Sequence, residues 1–177
     1  MSDNYYNTIA ESYENLYKKE QDTKLNLLKH LIPKYYHITP NSKILDAGCG
    51  SGFSSDFDCY VVGIDNSEQL ISRAKQKYNA NDKISFILSD LNKKLAFKDK
   101  EFDITISLSA IHHATHLSRL LSELKRVTKS FIFISFPNRI TRYNDIETTL
   151  MTAIQKNKLG LIAKIEHDVD NFFVIRI

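Results

Sequence analysis

The sequence has few cysteines and no long apolar segment. Its two cysteines, Cys49 and Cys59, indicate neither a disulfide framework nor a zinc site, and we expect no bound metal. No run approaches the ~20 apolar residues that a membrane-spanning helix needs, and the first twenty residues are too polar for a secretory signal. Internal repeats, low-complexity tracts and proline- or glycine-rich linkers are also absent. These absences favour a cytoplasmic protein.

The composition is that of an ordinary globular domain. Apolar residues make up 42% of the 177 residues and charged residues 25%, enough for one domain with a substantial core. The net charge of +3 is compatible with an anionic partner such as RNA, although it is small for this length. We predict a single domain, with residues 1–40 as an N-terminal helical lid and residues 41–177 as the core.

Hydrophobic periodicity predicts alternating strands and helices. The last two strands are separated by too few residues for a crossover, so they must form an antiparallel hairpin. The pattern predicts an α/β fold with a doubly wound, mostly parallel sheet and a C-terminal antiparallel hairpin. The predicted helices are 3–19, 22–32, 67–78, 117–127 and 144–158, and the predicted strands are 43–47, 60–64, 84–88, 102–108, 131–136, 161–168 and 171–177.

A glycine-rich turn follows the first predicted strand. Gly48, Gly50 and Gly52 let the backbone approach a ligand closely, and ligands of open α/β sheets bind at the carboxyl ends of strands. Asp65 ends the second strand, where a carboxylate is well placed to accept both hydroxyl protons of a ribose. The structural alternative is a glycine turn that binds no ligand.

The residues around this turn distinguish two nucleotide cofactors. A nicotinamide dinucleotide site carries G-x-G-x-x-G and opens a helix at a pyrophosphate. Here the glycines stand at alternate positions and are preceded by Asp46. A carboxylate repels a pyrophosphate, whereas the ammonium and sulfonium groups of S-adenosylmethionine are cationic. Charge therefore favours S-adenosylmethionine, with residues 46–52 around its methionine end.

Four segments resemble the motifs of class I S-adenosylmethionine-dependent methyltransferases, which have a Rossmann-like fold. They are residues 44–52 (ILDAGCGSG), 62–67 (VGIDNS), 89–91 (SDL), and 102–107 (FDITIS) followed by 111–113 (IHH). The resemblance implies that the third segment meets the adenine and that an N-terminal leader helix covers the cofactor. The cofactor-binding residues that it implies are Tyr13, Asp46, Gly48, Cys49, Gly50, Asp65, Asn66, Asp90, Leu91 and Ser107.

The short connection between the first two predicted strands points to one group within this superfamily. Only eight residues, 53–60, separate Gly52 from Val61, so the helix between the first two strands must be cut to a turn or two. The tRNA wobble carboxymethyluridine methyltransferases are similar in this crossover, in the segment 106–113 and in the final hairpin. The chain departs from them at Ala114, Phe172 and Phe173, where they usually have tryptophan, and at 128–130, where they have a Gly-Gly turn. A different acceptor is therefore an open alternative.

This narrower resemblance implies a set of acceptor-side residues. His112 would face the transferred methyl, and Arg119, Arg142, Tyr143 and Asn171 would line the acceptor side. Without this narrower resemblance, Arg119 and Arg142 are interpreted as ordinary solvent-exposed charges on helices, and His112 as a residue that only lines the site. The implied reaction is methyl-ester formation on 5-carboxymethyluridine of tRNA, which needs no general base because a carboxylate is ionised at neutral pH. An amine or phenol acceptor would need one.

Two other functions are compatible with the same motifs. One is a small-molecule O- or C-methyltransferase, and the other is an inactive scaffold, against which the three acids Asp46, Asp65 and Asp90 argue. The wobble-uridine enzymes work with a small zinc-binding activator subunit. If the strand order follows the superfamily, the strand Ile84–Leu88 lies at the sheet edge without a charge or a proline. Such edges invite pairing, so we expect a heterodimer formed there by strand addition.

Overall fold

The computed structural model describes residues 20–177. The predicted helix over 3–19, with Tyr13, lies outside the described residues. In the described part, helix α1 covers 20–31 and is followed by the 3-10 turn Ile32–Lys34. The other helices are α2 (Glu68–Lys77), α3 (Leu117–Val127) and α4 (Tyr143–Lys156), and the strands are β1 (Lys43–Ala47), β2 (Tyr60–Asp65), β3 (Ile84–Leu88), β4 (Phe102–Leu108), β5 (Thr128–Pro137), β6 (Gly160–Ile165) and β7 (Asp170–Arg176).

The seven strands of the described residues form one sheet in the order β3-β2-β1-β4-β5-β7-β6. Strands β1 to β5 run parallel, and β7 pairs antiparallel with both β5 and β6. The predicted fold class and its C-terminal hairpin are confirmed. The strand order reverses between β1 and β4, which is where ligands bind in open α/β sheets.

Helices cover both faces of the sheet. On one face, Leu28 and Leu31 of α1 pack in a core that also holds Ile44 of β1 and Ile71 of α2. On the other face, the leucines of α3 pack with Ile132 of β5 and with α4. Full burial of one leucine contributes roughly 1.5–3 kcal/mol, so both layers hold the sheet. No helix in residues 20–177 is long and apolar enough to cross a membrane.

The connection between β1 and β2 contains no helix. Residues 48–59 form successive turns, so the helix of a turn or two that the short crossover predicted is absent, and Ser54 and Ser55 of this segment bond to Asp46 instead. Cys49 and Cys59 of this segment are buried in the same core as Leu28 of α1. Helix α1 therefore packs in the layer to which a crossover helix would belong.

Element bounds differ from the prediction mainly near β5 and β6. β5 begins at Thr128 rather than 131, because residues 128–130 continue the strand, and the Thr128 hydroxyl bonds to that of Thr105 on β4 at 2.6 Å. β6 ends at Ile165 rather than 168, which leaves residues 166–169 to make the hairpin turn.

Candidate functional site

The glycine turn lies at the carboxyl end of β1, next to the point where the strand order reverses. Gly48, Gly50 and Gly52 have φ of 82°, 53° and 80°, in the left-handed region that favours glycine. A Cβ placed on Gly48 would lie 2.2 Å from the Cβ of Ala110, which follows β4. Only glycine therefore lets the β4 connection approach the turn this closely.

Asp65 holds the glycine turn from the end of β2. Its Oδ2 accepts from the backbone N–H of Gly50 and its Oδ1 from that of Ser67, both at 2.9 Å. Burial raises the pKa of Asp65, and these backbone donors oppose that rise. The Asn66 N–H is a further donor to this carboxylate, and since a carboxylate has about four lone-pair sites, acceptor capacity remains for a ribose hydroxyl.

Asp46 is fully buried below the turn. Its Oδ2 accepts from the hydroxyls of Ser54 and Ser55 at 2.6 and 2.7 Å. Burial raises the pKa of Asp46 to about 6 even though these hydroxyls lower it. Its Oδ1 has no hydrogen-bond partner among the described residues. A buried acceptor without a partner is costly, and a cationic ligand at the turn would offset that cost, as S-adenosylmethionine would.

The connection after β3 closes the other side of the turn. Asp90 accepts from the backbone N–H of Asn92 at 2.8 Å, and the Leu91 side chain would lie 3.8 Å from a Cβ on Gly48. Asn92 in turn accepts from the hydroxyl of Thr115 at 2.7 Å. Sequence reasoning did not identify Asn92 or Thr115, which join the loops that follow β3 and β4.

Two predicted cofactor-binding residues, Ser107 and Cys49, have side chains that are buried inside the protein. The Ser107 hydroxyl is buried within the sheet and donates to the Ala47 carbonyl at 2.7 Å, which ties β4 to β1. The Cys49 sulfur is buried, would lie 2.9 Å from a Cβ on Gly63, and has a raised pKa because of burial. Asn66 is exposed directly after Asp65.

The 3-10 turn Ile111–His113 carries His112, the predicted acceptor-side residue, and directly follows Ala110, which lies against the glycine turn. The Nδ1 atom of His112 is buried with no hydrogen-bond partner among the described residues, and its ring lies 3.9 Å from that of His113, centroid to centroid. Burial, with a smaller contribution from His113, lowers the pKa of His112 to about 4. His112 is therefore neutral at pH 7 and is a weak base.

Tyr143 and Asn171, predicted from separate segments, are in contact. The Asn171 amide at the start of β7 donates to the Tyr143 hydroxyl at the start of α4, and the Tyr143 ring packs on Phe136 at 5.3 Å between centroids. Arg142 is exposed and lies 3.6 Å from Asp145. Arg119 is exposed in the first turn of α3.

A buried ion pair on this side is missing from the sequence prediction. Lys24 of α1 and Asp170 of β7 are 1% and 0% exposed, and their Nζ and Oδ1 atoms are 2.8 Å apart. Lys24 stands four and seven positions before Leu28 and Leu31, on the apolar stripe of the helix. A lysine on such a stripe is the signal that points to a buried partner.

Comparisons with known proteins agree with this geometry. Residues 45–132 match the methyltransferase domain family. The chain has the fold of a class I S-adenosylmethionine-dependent methyltransferase. It superposes on magnesium protoporphyrin IX methyltransferase from Synechocystis with bound S-adenosylmethionine, with a TM-score of 0.73 and 19% identity over 99% of this chain and 97% of that one. It also superposes on a Haloferax volcanii methyltransferase solved with the Trm112 activator, with a TM-score of 0.76 and 14% identity over 94% of both chains.

Curated relatives share part of the sequence. Sterol 24-C-methyltransferase of Clavispora lusitaniae is 28% identical over 73% of this chain and 39% of its own length. Malonyl-[acyl-carrier protein] O-methyltransferase of Legionella pneumophila is 30% identical over 67% of this chain and 42% of its own length. The chain thus spans less than half the length of these relatives. The predicted cofactor, S-adenosylmethionine, is confirmed as the cofactor of this fold.

Proposed function

We propose that the protein transfers the methyl group of S-adenosylmethionine to the carboxylate of 5-carboxymethyluridine at the tRNA wobble position. A carboxylate oxygen attacks the methyl carbon, the carbon–sulfur bond breaks, and its electron pair neutralises the sulfonium. The products are a methyl ester and S-adenosylhomocysteine. The observation that carries this proposal is the buried ring of His112, whose Nδ1 atom has no hydrogen-bond partner among the described residues and whose lowered pKa makes it a weak base.

His112 lies two residues after Ala110, the residue that approaches the glycine turn. With a pKa of about 4, it has little capacity to deprotonate an amine or a phenol at neutral pH. A carboxylate acceptor needs no deprotonation because its own pKa is about 4. The protein then has to exclude water and align the oxygen with the methyl group, which is what positioning supplies.

Exposed cations follow the carboxyl ends of three strands. Lys93 and Lys94 come after β3, Arg119 after β4, and Arg139 and Arg142 after β5. An arginine binds a phosphate or a carboxylate through two parallel hydrogen bonds. This distribution supports an anionic acceptor such as tRNA.

The second candidate is a small-molecule O- or C-methyltransferase. It is favoured by the relatives, whose names specify a sterol and a malonyl-[acyl-carrier protein], and by the porphyrin methyltransferase with the same fold. The malonyl enzyme also transfers its methyl group to oxygen, so it shares the reaction class of the first candidate.

The deciding experiment supplies carboxymethylated tRNA and S-adenosylmethionine labelled in the methyl group, followed by mass spectrometry of the nucleosides. We expect label in the methyl ester of carboxymethyluridine. Arg119→Lys and Arg142→Lys should lose activity, because lysine lacks the planar guanidinium group that donates two parallel hydrogen bonds. Arg176→Lys is the matched control, because Arg176 is exposed near the amino ends of the parallel strands, where it pairs with Phe131 of β5, away from the glycine turn. Label in a small metabolite and none in tRNA would favour the second candidate.

We also propose that β3 binds a small zinc-binding activator subunit by strand addition. β3 is an edge strand, and its Ile87 and Leu88 are 44% and 53% exposed. An unpaired apolar edge of this kind is a template for another strand. The Haloferax volcanii neighbour, solved with its activator, supports this proposal.

Co-purification with a candidate activator tests this proposal, and it is carried out for the wild type and for the Leu88→Lys variant. We expect the charge at the edge to abolish the complex and the activity together. Ile162→Lys is the matched control, because Ile162 is 41% exposed on β6, at the opposite edge of the sheet. A soluble, monodisperse and fully active lone chain would contradict the proposal.

A further inference from the structure

The buried ion pair between Lys24 and Asp170 links helix α1 to strand β7. Both side chains are almost completely shielded from water, at 1% and 0% exposure. Removing two charges from water is unfavourable unless their geometry and hydrogen bonds are good. A pair retained under that penalty indicates a role in placing particular groups.

The group that this pair places is the side chain of Ser109. The Lys24 ammonium donates to the Ser109 hydroxyl at 2.7 Å, and the Ser109 hydroxyl donates to Asp170 Oδ2, also at 2.7 Å. The Ser135 hydroxyl donates to the same carboxylate oxygen at 2.6 Å. The hydroxyl of Ser109 is therefore held between a cation and an anion, as both an acceptor and a donor.

Ser109 has an unusual backbone. Its φ is +53°, a left-handed conformation that costs energy for any residue with a Cβ. Its N–H donates to the Ser135 carbonyl at 2.9 Å, which carries β4–β5 pairing past the end of the strand. The side-chain network offsets the strain and holds the chain where it leaves β4.

The next residues form the acceptor side of the site. Ala110 is so close to Gly48 that a Cβ there would lie 2.2 Å from its own. His112, two residues further on, has a buried Nδ1 atom. The conformation of Ser109 therefore sets how closely Ala110 and the 3-10 turn after it approach the glycine turn of the cofactor site.

We propose that Lys24 is a positioning residue for methyl transfer. With Asp170 it holds Ser109 in the left-handed conformation, and so it fixes Ala110 against the glycine turn and sets the position of the 3-10 turn that carries His112. The inference rests on the proposed methyl transfer, and it connects helix α1 to the rate of that reaction.

The variants are Lys24→Met, which keeps the aliphatic stem, and Lys24→Met/Asp170→Asn, which avoids an unpaired buried charge. Lys29→Met is the matched control, because Lys29 lies on the same helix in an exposed pair with Asp56 at 2.8 Å. Two measurements apply to each folded variant. One is kcat and KM with carboxymethylated tRNA, and the other is the nuclear Overhauser effect between the Ala110 methyl and the Gly48 α protons.

We expect Lys24→Met/Asp170→Asn to lose at least about tenfold in kcat, since misplacement of the reacting groups by ~1 Å has large effects, and to lose the Overhauser contact. Adding Ser109→Gly should restore kcat to within about threefold of the wild type, because glycine adopts the left-handed conformation without a Cβ penalty. Lys29→Met should change neither measurement. If the double variant does not fold, Ser109→Ala, which keeps the ion pair, should show the same losses.

Reduced stability with unchanged kcat and an intact Overhauser contact would overturn the inference, and so would failure of the glycine rescue. The two measurements also separate this inference from the proposed function. If the wild type does not methylate carboxymethylated tRNA, the proposed function fails. The Overhauser contact in the same variants then still decides whether Lys24 positions Ala110.

Discussion

At the scale of single residues, the two acids nearest the turn bind the protein's own donors. Asp46 accepts from two serine hydroxyls, and Asp65 accepts from the backbone amides of Gly50, Asn66 and Ser67. Burial raises the pKa of both carboxyl groups. These acids therefore stabilise the shape of the cofactor site as well as offering acceptors to the cofactor, and their substitution affects both.

Asp65→Ala should weaken S-adenosylmethionine binding by about 1.5–3 kcal/mol, the magnitude of hydrogen bonds to a charged group. Part of the loss arises because the Gly50 N–H loses its acceptor. Isothermal calorimetry measures the affinity. Asp103→Ala is the control, since Asp103 accepts from the Lys43 N–H at 2.8 Å at the other end of the sheet. Unchanged affinity in Asp65→Ala would refute the ribose assignment.

The raised pKa of Asp46 predicts a pH dependence of stability. The folded state holds this proton up to a pKa of about 6, against an ordinary value of 3.8. The folded state thus binds more protons than the unfolded state between these values, and the free energy of unfolding falls as pH rises through this window. The shift corresponds to about 3 kcal/mol.

Urea unfolding at several pH values between 4 and 7 tests this prediction. The wild type should lose more stability across the window than Asp46→Asn, in which the side chain cannot ionise. Asp65 also has a raised pKa, but it is present in both proteins and cancels in the difference. If the free energy of unfolding changes equally with pH in the two proteins, Asp46 is ionised throughout this range and the prediction is wrong.

At the scale of elements, side-chain hydrogen bonds hold the connection between β1 and β2 in place of a helix. Ser54 and Ser55 anchor it to Asp46, and the Tyr78 hydroxyl at the end of α2 donates to the Gly52 carbonyl at 3.0 Å. Ser67 caps the start of the same helix by accepting from the Leu70 N–H at 3.3 Å. Both ends of α2 are thus tied to the glycine turn or to the acid that holds it.

Gly48→Ala should disrupt this turn. The left-handed φ of 82° alone costs on the order of 1–2 kcal/mol for alanine, and the overlap with Ala110 adds to it. Thermal unfolding and cofactor calorimetry should both show a loss. Ala110→Gly in the same chain should recover the part due to the overlap. Gly160→Ala is the control, because its nearest neighbours would lie 3.9 Å away, and an equal loss there would argue against a specific role for Gly48.

At the scale of the whole molecule, acidic and basic residues occupy different positions at the carboxyl end of the sheet. The carboxyl ends of β1, β2 and β3 carry Asp46, Asp65 and Asp90 around the glycine turn, and exposed arginines follow β4 and β5. Acids therefore surround the proposed site of a cationic cofactor, while cations extend beyond it. The net charge is only +3. The positions of the exposed arginines, rather than the total charge, therefore have to attract an anionic acceptor.

The affinity for tRNA should therefore fall steeply with salt. Each phosphate contact contributes about 0.7–0.9 to the slope of log affinity against log salt concentration. Arg119→Ala and Arg142→Ala should each reduce the slope by about one, and Arg176→Ala should leave it unchanged. Filter binding between low and physiological salt gives the slopes. A salt-independent affinity would count against phosphate recognition.

The sequence by itself determined the features that depend on local spacing. Alternation of apolar runs indicated the parallel sheet, the residue count left room for no more than a turn or two of helix between β1 and β2, and strand-end positions identified Asp46, Asp65 and Asp90. Each of these follows from the few residues around it, because period, length and turn chemistry are local properties.

Only the tertiary structure decided the features that depend on contacts distant along the chain. Lys24 and Asp170 lie on the first described helix and the last strand, and no local pattern encodes their contact. Ser107 lies in a strand that is buried on both faces, so alternation gives no sign of where its hydroxyl points. The low pKa of His112 arises because other elements bury its ring, and burial is a property of the assembled layers.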